Sequence, residues 1–313
     1  MLNLDSSETA YQNAVGEKLS FGCKYLPVPL PAARASDLDA LKVSGHYKML
    51  GNMESGPASL FIPPEFESFK SRTLTETELF NEALRLESLS GGLVVFVHGC
   101  CADFESSMQK AGNLAIWTKQ PVLMYDWYSP KGLDKYLANE QRYEQAKDGF
   151  FAFMDGLEKV VPAENITLVA HSMGNRFLDS YLVRRSEIQQ GQDVKAFHAT
   201  NFVAADVDAQ AFANHEKVIA RVGGPVKIFV SDKDEALMIS GSARYARLGN
   251  PGAVLKKLSS CECADLLDVR AAGTGHDMPF WFIGEMFTDG GLHLPGFKLV
   301  KKGPRYFCLA RSK

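Results

Sequence analysis

The amino-acid sequence predicts an α/β fold in which a mostly parallel central sheet carries helices on both faces. Short apolar runs recur along the chain, and they alternate with segments whose apolar residues keep helical spacing, which is the pattern of βαβ units. Runs that are apolar at successive positions indicate strands buried on both faces. The runs lie at 93 to 97, 121 to 127, 166 to 170, 199 to 205 and 226 to 230.

The segments between these runs have the spacing of amphipathic helices. Residues 104 to 117 are helix-like, and Tyr143, Phe150, Phe153 and Leu157 recur at helical intervals before the run at 166. No internal repeat and no linker divides this part of the chain. We therefore expect residues 71 to 313 to form one compact domain.

Residues 1 to 70 predict an N-terminal arm with edge strands. Pro27, Pro29 and Pro31 space out the sequence LPVPLPAA, which is typical of an extended segment. The sequences HYKML and ASLFI then favour two short strands at an antiparallel edge of the sheet. A helix follows, because Thr75 and Glu78 have the spacing of a capping box.

Composition excludes several classes of function. The 313 residues are 46% hydrophobic and 23% charged, as in ordinary globular proteins. A formal net charge of -3 gives no basic surplus for nucleic acid, so we expect a small neutral or mildly charged molecule as the partner. The first residues lack a signal-peptide pattern, and no apolar stretch is long enough to span a membrane. We expect a cytoplasmic protein.

The cysteines are too sparse for a disulfide scaffold and are read as free thiols. Cys261 and Cys263 have one residue between them and no second ligand pair nearby, which does not favour a zinc site. The sequence therefore predicts neither a metal nor a cofactor. The six cysteines are Cys23, Cys100, Cys101, Cys261, Cys263 and Cys308.

The strongest local pattern surrounds Ser172. The apolar run ITLVA leads into Ala170-His171-Ser172-Met173-Gly174, and a helical pattern starts at once. A serine on such a tight strand-to-helix turn can serve as a nucleophile, because its hydroxyl projects above the sheet. Ala170 stands where the first glycine of the usual pattern would be. The alternative interpretation is an ordinary helix-capping serine.

A second pattern follows the run at 93 to 97, where His98-Gly99-Cys100-Cys101 resembles the His-Gly loop of esterases and lipases. There, backbone N–H groups bind the oxyanion of the tetrahedral intermediate. The candidate donors are the N–H groups of Cys100 and Met173. His-Gly after a strand is also a common turn.

The remaining candidates are an acid and a base that follow the serine in the order Ser, Asp, His. His276 lies in the sequence GTGHDMPF, where it can accept the serine proton, and Asp234 follows the run at 226 to 230. Asp206, Asp208 and Asp232 are alternative acids.

We interpret His46, His198, His215 and His293 as structural, and we expect His171 to point into neighbouring loops.

The motifs FVHG, VAHSMGNR, VAADVD, VSDKDEAL and GTGH together resemble a bacterial branch of the α/β-hydrolases that is classified as a domain of unknown function. The resemblance covers about residues 70 to 285. It implies the α/β-hydrolase fold and a triad of Ser172, His276 and Asp234.

The predicted activity is hydrolysis of a carboxylic ester through an acyl-enzyme, without a cofactor. Trp127 and Tyr128, with Tyr136 nearby, are candidates for the wall of the acyl pocket, although this stretch is equally well interpreted as a surface loop. Thioester or amide hydrolysis on the same residues is an alternative, and so is a non-catalytic binding protein that has the same fold.

Overall fold

The structure is a computed structural model in which eleven segments are described. Thr75, Cys261 and His293, on which the sequence predictions touch, lie outside these segments. In the described part of the chain, no helix has the length and apolar character needed to cross a membrane. The segments are 23–29, 44–51, 58–62, 76–102, 104–189, 195–241, 245–252, 263–272, 275–276, 297–303 and 305–311.

A single sheet forms the centre of the molecule. Its spatial strand order is β1-β2-β3-β5-β4-β6-β7-β8-β9-β11-β10. The strands are β1 (Cys23–Pro29), β2 (Ser44–Gly51), β3 (Ala58–Ile62), β4 (Leu93–Val97), β5 (Val122–Tyr125), β6 (Ile166–His171), β7 (Ala199–Val203), β8 (Val226–Val230), β9 (Ala264–Asp268), β10 (Phe297–Lys301) and β11 (Tyr306–Arg311).

The middle of the sheet is parallel from β5 to β11, and only its two margins are antiparallel. Parallel strands end at the same edge of a sheet. The carboxyl ends of β4, β6, β7 and β8 therefore meet at one edge, where loops of an α/β protein bind ligands.

Helices connect and cover these strands. α1 packs on β4, α2 on β3 and β5, and α4 on β6, α3 and α5. Every residue of β4, β5 and β6 is buried, so both faces of the sheet are covered in this region. The predicted fold class is confirmed. The helices are α1 (Glu76–Ser90), α2 (Phe104–Thr118), α3 (Tyr136–Glu158), α4 (Gly174–Ile188), α5 (Ala209–Gly223) and α6 (Glu235–Gly241).

The first three strands form the antiparallel margin, as expected for HYKML and ASLFI. The proline-containing segment, for which the sequence predicts an extended arm, includes β1 as the outermost strand. An edge position suits Pro27 and Pro29, because proline has no N–H to donate to a neighbouring strand.

The strands β9, β10 and β11 were not predicted from the sequence. β9 has the sequence ADLLD, and its two aspartates interrupt the apolar run that would predict a buried strand. Asp268 is nevertheless buried, because Arg270 and the Tyr306 hydroxyl hydrogen-bond to its carboxylate. β11 returns from far along the chain to pair with β9 in parallel.

Candidate active site

Ser172 lies at the junction of β6 and α4 with a φ of 51°, in the left-handed region. A non-glycine residue there costs about 1–3 kcal/mol, and such strain is found most often at functional sites. The turn is held by hydrogen bonds, because the N–H of Ser172 donates to the carbonyl of Val203 at 3.0 Å and the N–H of Asp206 donates to the carbonyl of Ser172 at 3.1 Å. Ser172 is 3% exposed. These features match a nucleophile elbow.

Strained residues cluster at this edge of the sheet. Cys101 has a φ of 65° and Ala204 a φ of 45°. They follow β4 and β7, which are the two neighbours of β6 in the sheet. Three adjacent strands thus each lead into a residue with left-handed backbone geometry.

The His-Gly loop packs directly against the elbow. A Cβ atom on Gly99 would lie 2.7 Å from the Cβ atom of Ser172. A Cβ atom on Gly174 would lie 2.4 Å from the carbonyl oxygen of His98. The two turns therefore interlock only with glycine at both positions. Cys100 directly follows Gly99 and Met173 directly follows Ser172, so the two predicted oxyanion donors flank this contact.

His276 and Asp234 form a close pair. Nδ1 of His276 lies 3.0 Å from Oδ1 and 2.9 Å from Oδ2 of Asp234. The carboxylate is 1% exposed and the imidazole 25% exposed. Asp234 Oδ1 also accepts a hydrogen bond from the N–H of Leu237 at 2.9 Å, which fixes the carboxylate at the start of α6. Since Nδ1 faces the carboxylate, Nε2 is the nitrogen turned towards other partners.

The imidazole ring of His276 lies close to the elbow. Its centroid lies 5.1 Å from that of His171, the residue before Ser172. His171 thus points into a neighbouring loop, as expected from the sequence.

Asp206, an alternative acid, is occupied elsewhere. Its Oδ1 lies 2.9 Å from Nε of Arg247, and its Oδ2 lies 3.0 Å from Nη2 of Arg176. Oδ2 also accepts a 2.6 Å hydrogen bond from the Tyr136 hydroxyl. Burial raises the pKa of the Tyr136 hydroxyl, and the charge of Asp206 raises it further. Two guanidinium groups and a phenol therefore hold Asp206.

The other two alternatives also have separate partners. Asp208 caps α5, because its Oδ1 accepts from the N–H of Gln210 at 2.7 Å. Asp232 is exposed and pairs with Arg270 at 2.6 Å. Of the four candidate carboxylates, Asp234 is the one paired with His276.

Trp127 lies beneath the His-Gly loop. It is 2% exposed, its indole Nε1 donates to the His98 carbonyl at 3.0 Å, and its ring stacks on that of His98 at 5.7 Å. Nε2 of His98 in turn lies 2.8 Å from Oδ1 of the buried Asp126. These contacts indicate that Trp127 supports the His-Gly loop rather than contacting a substrate. Tyr128 is partly exposed, with the Arg142 guanidinium 5.0 Å from its ring centroid.

The pKa values of the two cysteine thiols in the loop are shifted in opposite directions. The hydrogen bond between their sulfur groups, then burial, raises the pKa of the Cys100 thiol. The same hydrogen bond lowers the pKa of the Cys101 thiol despite an opposing effect of burial, and Asn139 and His276 lower it further.

Two other histidines, His198 and His215, lie away from the elbow. His198 precedes β7, at the opposite edge of the sheet, and Nε2 of His215 lies 3.0 Å from Asp179 on the neighbouring helix. Sequence reasoning missed Arg176 and Arg247 as partners of Asp206. Arg176 lies one turn into the helix after Ser172, a position that marks it as a neighbour of the elbow.

The sheet and the strained serine at its carboxyl edge define an α/β hydrolase. A family model described as "Alpha/beta hydrolase of unknown function (DUF900)" matches residues 73–269, and the chain belongs to this family. No curated protein matches the chain at a significant level.

Solved esterase structures resemble the chain at low identity. A thermostable esterase from Pseudomonas putida ECU1011 is 12% identical with a TM-score of 0.42, and the match covers 87% of this chain and 80% of that one. An esterase from Pyrobaculum calidifontis is 11% identical with a TM-score of 0.39, and the match covers 84% of this chain and 79% of that one.

Proposed function

We propose that this protein is a serine hydrolase that cleaves a carboxylic ester through an acyl-enzyme. The observation that carries the proposal is the left-handed φ of Ser172 at the junction of β6 and α4. Nothing in the packing of an ordinary helix-capping serine requires this strain, whereas it is the geometry of a nucleophilic serine on a tight strand-to-helix turn.

The His276 and Asp234 pair supplies the base. Asp234 accepts a hydrogen bond from Nδ1–H of His276, so Nε2 of His276 is available to take the proton from the Ser172 hydroxyl. Asp234 also stabilises the imidazolium that forms during attack. Because the carboxylate is buried, its interaction with this cation is stronger than it would be in water.

The backbone N–H groups of Met173 and Cys100 bind the oxyanion of the tetrahedral intermediate. The close packing of Gly99 on Ser172 supports this assignment, since it holds the following N–H beside the nucleophile. When the intermediate collapses, His276 protonates the leaving alcohol and Ser172 keeps the acyl group. A water molecule, deprotonated by His276, then hydrolyses the acyl-enzyme.

The substrate is a small acyl ester, and Tyr128 is the candidate wall of its pocket. Trp127 acts through the loop that it supports, because its indole is engaged with the His98 carbonyl. The residues do not select the leaving group, so thioesters belong in the substrate panel.

The test is covalent labelling by a fluorophosphonate, followed by turnover of p-nitrophenyl esters of increasing chain length. We expect one adduct on Ser172 and a loss of about 10⁴- to 10⁶-fold in kcat for Ser172→Ala. Ser231→Ala is the matched control, since Ser231 is a buried serine that directly follows β8, two strands from β6 in the sheet. Absence of an adduct in the folded wild-type protein would favour a non-catalytic binding protein.

A further inference from the structure

Two adjacent cysteines, Cys100 and Cys101, form the turn that follows Gly99 in the His-Gly loop. Both side chains are partly exposed, and their sulfur groups are hydrogen-bonded to one another. Ester hydrolysis uses only the backbone of Cys100. The proposed function leaves the two thiols without a role.

The surroundings stabilise a thiolate at Cys101. The Asn139 side-chain amide donates to its sulfur at 3.5 Å, and this hydrogen bond lowers the pKa of the thiol. The thiolate is the nucleophilic form of cysteine, and a low pKa with some exposure characterises oxidisable cysteines. The second thiol, Cys100, already contacts it.

Two hydrogen bonds hold the backbone of Cys101. The N–H of Cys101 donates to the Ser129 hydroxyl at 2.8 Å, and its carbonyl accepts from the N–H of Gly132 at 3.3 Å. Closing a bond between the two sulfurs would therefore shift Cys100 rather than Cys101.

We propose that Cys101 is a site of reversible oxidation by hydroperoxides and that Cys100 is its resolving thiol. The Cys101 thiolate attacks the peroxide, so that an S–O bond forms, the O–O bond breaks and the alkoxide or hydroxide leaves and takes up a proton. The sulfur of Cys100 then attacks the sulfenic acid. An S–S bond forms, the S–O bond breaks, and hydroxide leaves with the Cys100 proton as water. Overall, two thiols and one hydroperoxide give a disulfide, an alcohol or water, and one water.

The resulting disulfide is easily reduced. Adjacent Cα atoms lie about 3.8 Å apart, which is shorter than the range of about 4.4–6.8 Å that a relaxed disulfide needs. Strained and exposed disulfides have the higher reduction potentials that characterise regulatory bonds. Cellular dithiols would therefore reduce the disulfide back to two free thiols.

Oxidation also affects catalysis, a consequence that rests on the proposed function. The disulfide closes a small ring through the peptide bond between the two cysteines. Closing this ring shifts the backbone of Cys100, and its N–H then moves away from the elbow. Removal of one oxyanion donor costs about 10²- to 10³-fold in kcat. We expect a loss of about that size on oxidation.

The experiment treats the purified full chain with hydrogen peroxide. The peptide that contains both cysteines is analysed by mass spectrometry, and ester turnover is measured before treatment, after it and after dithiothreitol. In the wild-type protein, the peptide should lose two hydrogen atoms, and turnover should fall by about 10²-fold and recover with the reductant. Each variant is compared with its own untreated sample.

Three variants separate the possible roles. Cys100→Ser should accumulate a sulfenic acid on Cys101 that dimedone traps. Cys101→Ser should keep its untreated turnover in peroxide. Cys308→Ser is the control, because Cys308 is a partly exposed thiol on β11, and it should respond as the wild type does.

Three results would be decisive. If Cys308 is oxidised while Cys101 stays reduced, the modification site is wrong. A disulfide that leaves turnover unchanged would refute the coupling to the oxyanion hole. Formation of the disulfide in a protein that never shows hydrolase activity would support the modification site and count against the proposed function.

Discussion

Nε2 of His171 lies 2.9 Å from the carbonyl oxygen of His276. His171 is the last residue of β6 and precedes Ser172, so this hydrogen bond ties the loop of the proposed base to the strand of the proposed nucleophile. With Nε2 as donor, the imidazole holds the backbone of His276 while Asp234 holds its ring. His171 is therefore a positioning residue.

Replacing His171 should lower turnover without weakening substrate binding. A misplacement of about 1 Å in a catalytic group costs about 10²-fold in rate, so His171→Ala should lower kcat about 10- to 100-fold with little change in KM. His171→Gln keeps an N–H donor and should recover part of kcat. His215→Ala, which removes a histidine paired with Asp179, is the control. Wild-type kcat in His171→Ala would exclude the positioning role.

Asp234→Asn should damage catalysis. Asparagine can still accept from the N–H of Leu237, so the start of α6 is preserved, but it cannot stabilise the imidazolium of His276. We expect a loss of about 10²- to 10⁴-fold in kcat with KM nearly constant. Steady-state kinetics on a p-nitrophenyl ester measures both constants.

Asp206→Asn provides the contrast, because it should damage stability instead. The Asp206 side chain is 2% exposed and compensates Arg176 and Arg247, of which the latter is 4% exposed. Breaking a buried ion pair costs about 3–5 kcal/mol. Urea denaturation should show that loss, while kcat of the folded enzyme falls less than in Asp234→Asn. If Asp206→Asn proves the more damaging to kcat, the acid is misassigned.

These two carboxylates show how far the sequence alone can reach. The order of Ser172, Asp234 and His276 along the chain and the buried runs before them are local patterns, and the sequence predicts the fold class from them. The choice among four acids is different. It depends on Arg247 and other partners far along the chain, and no local pattern shows where a counterion will lie.

The strand β9 was missed for the same physical reason. Asp268 makes β9 look too polar for a buried strand, but its charge is compensated by Arg270 and by a tyrosine on β11. The burial of a charged residue becomes predictable only once its partner is known, and here one partner comes from another strand.

Two glycines on either side of β4 give a matched test of the packed turn. A Cβ atom on Gly99 would meet the Cβ of Ser172 at 2.7 Å and the carbonyl of His171 at 3.1 Å, and neither can move away without shifting the elbow. A Cβ atom on Gly92 would meet the end of the flexible Gln120 side chain at 2.6 Å. Gly99→Ala should therefore cost about 10²-fold in kcat, and Gly92→Ala should leave it within about twofold. Equal effects on kcat would mean that Gly99 does not shape the site.

The last prediction concerns the acidity of Cys101, which alkylation by iodoacetamide reports. Only the thiolate reacts, so the alkylation rate rises with pH until the thiol is fully ionised. Because the folded protein lowers the pKa of Cys101, its rate should reach the plateau at a lower pH than in the same chain unfolded in urea. Cys100→Ala removes the hydrogen bond that lowers this pKa most and should move the profile towards higher pH. Asn139→Ala removes a weaker donor and should move it less. Peptide mass spectrometry gives the rate at Cys101 itself. A folded-state profile that coincides with the unfolded one would show that the loop does not stabilise the thiolate, and it would remove the chemical reason for oxidation at this residue.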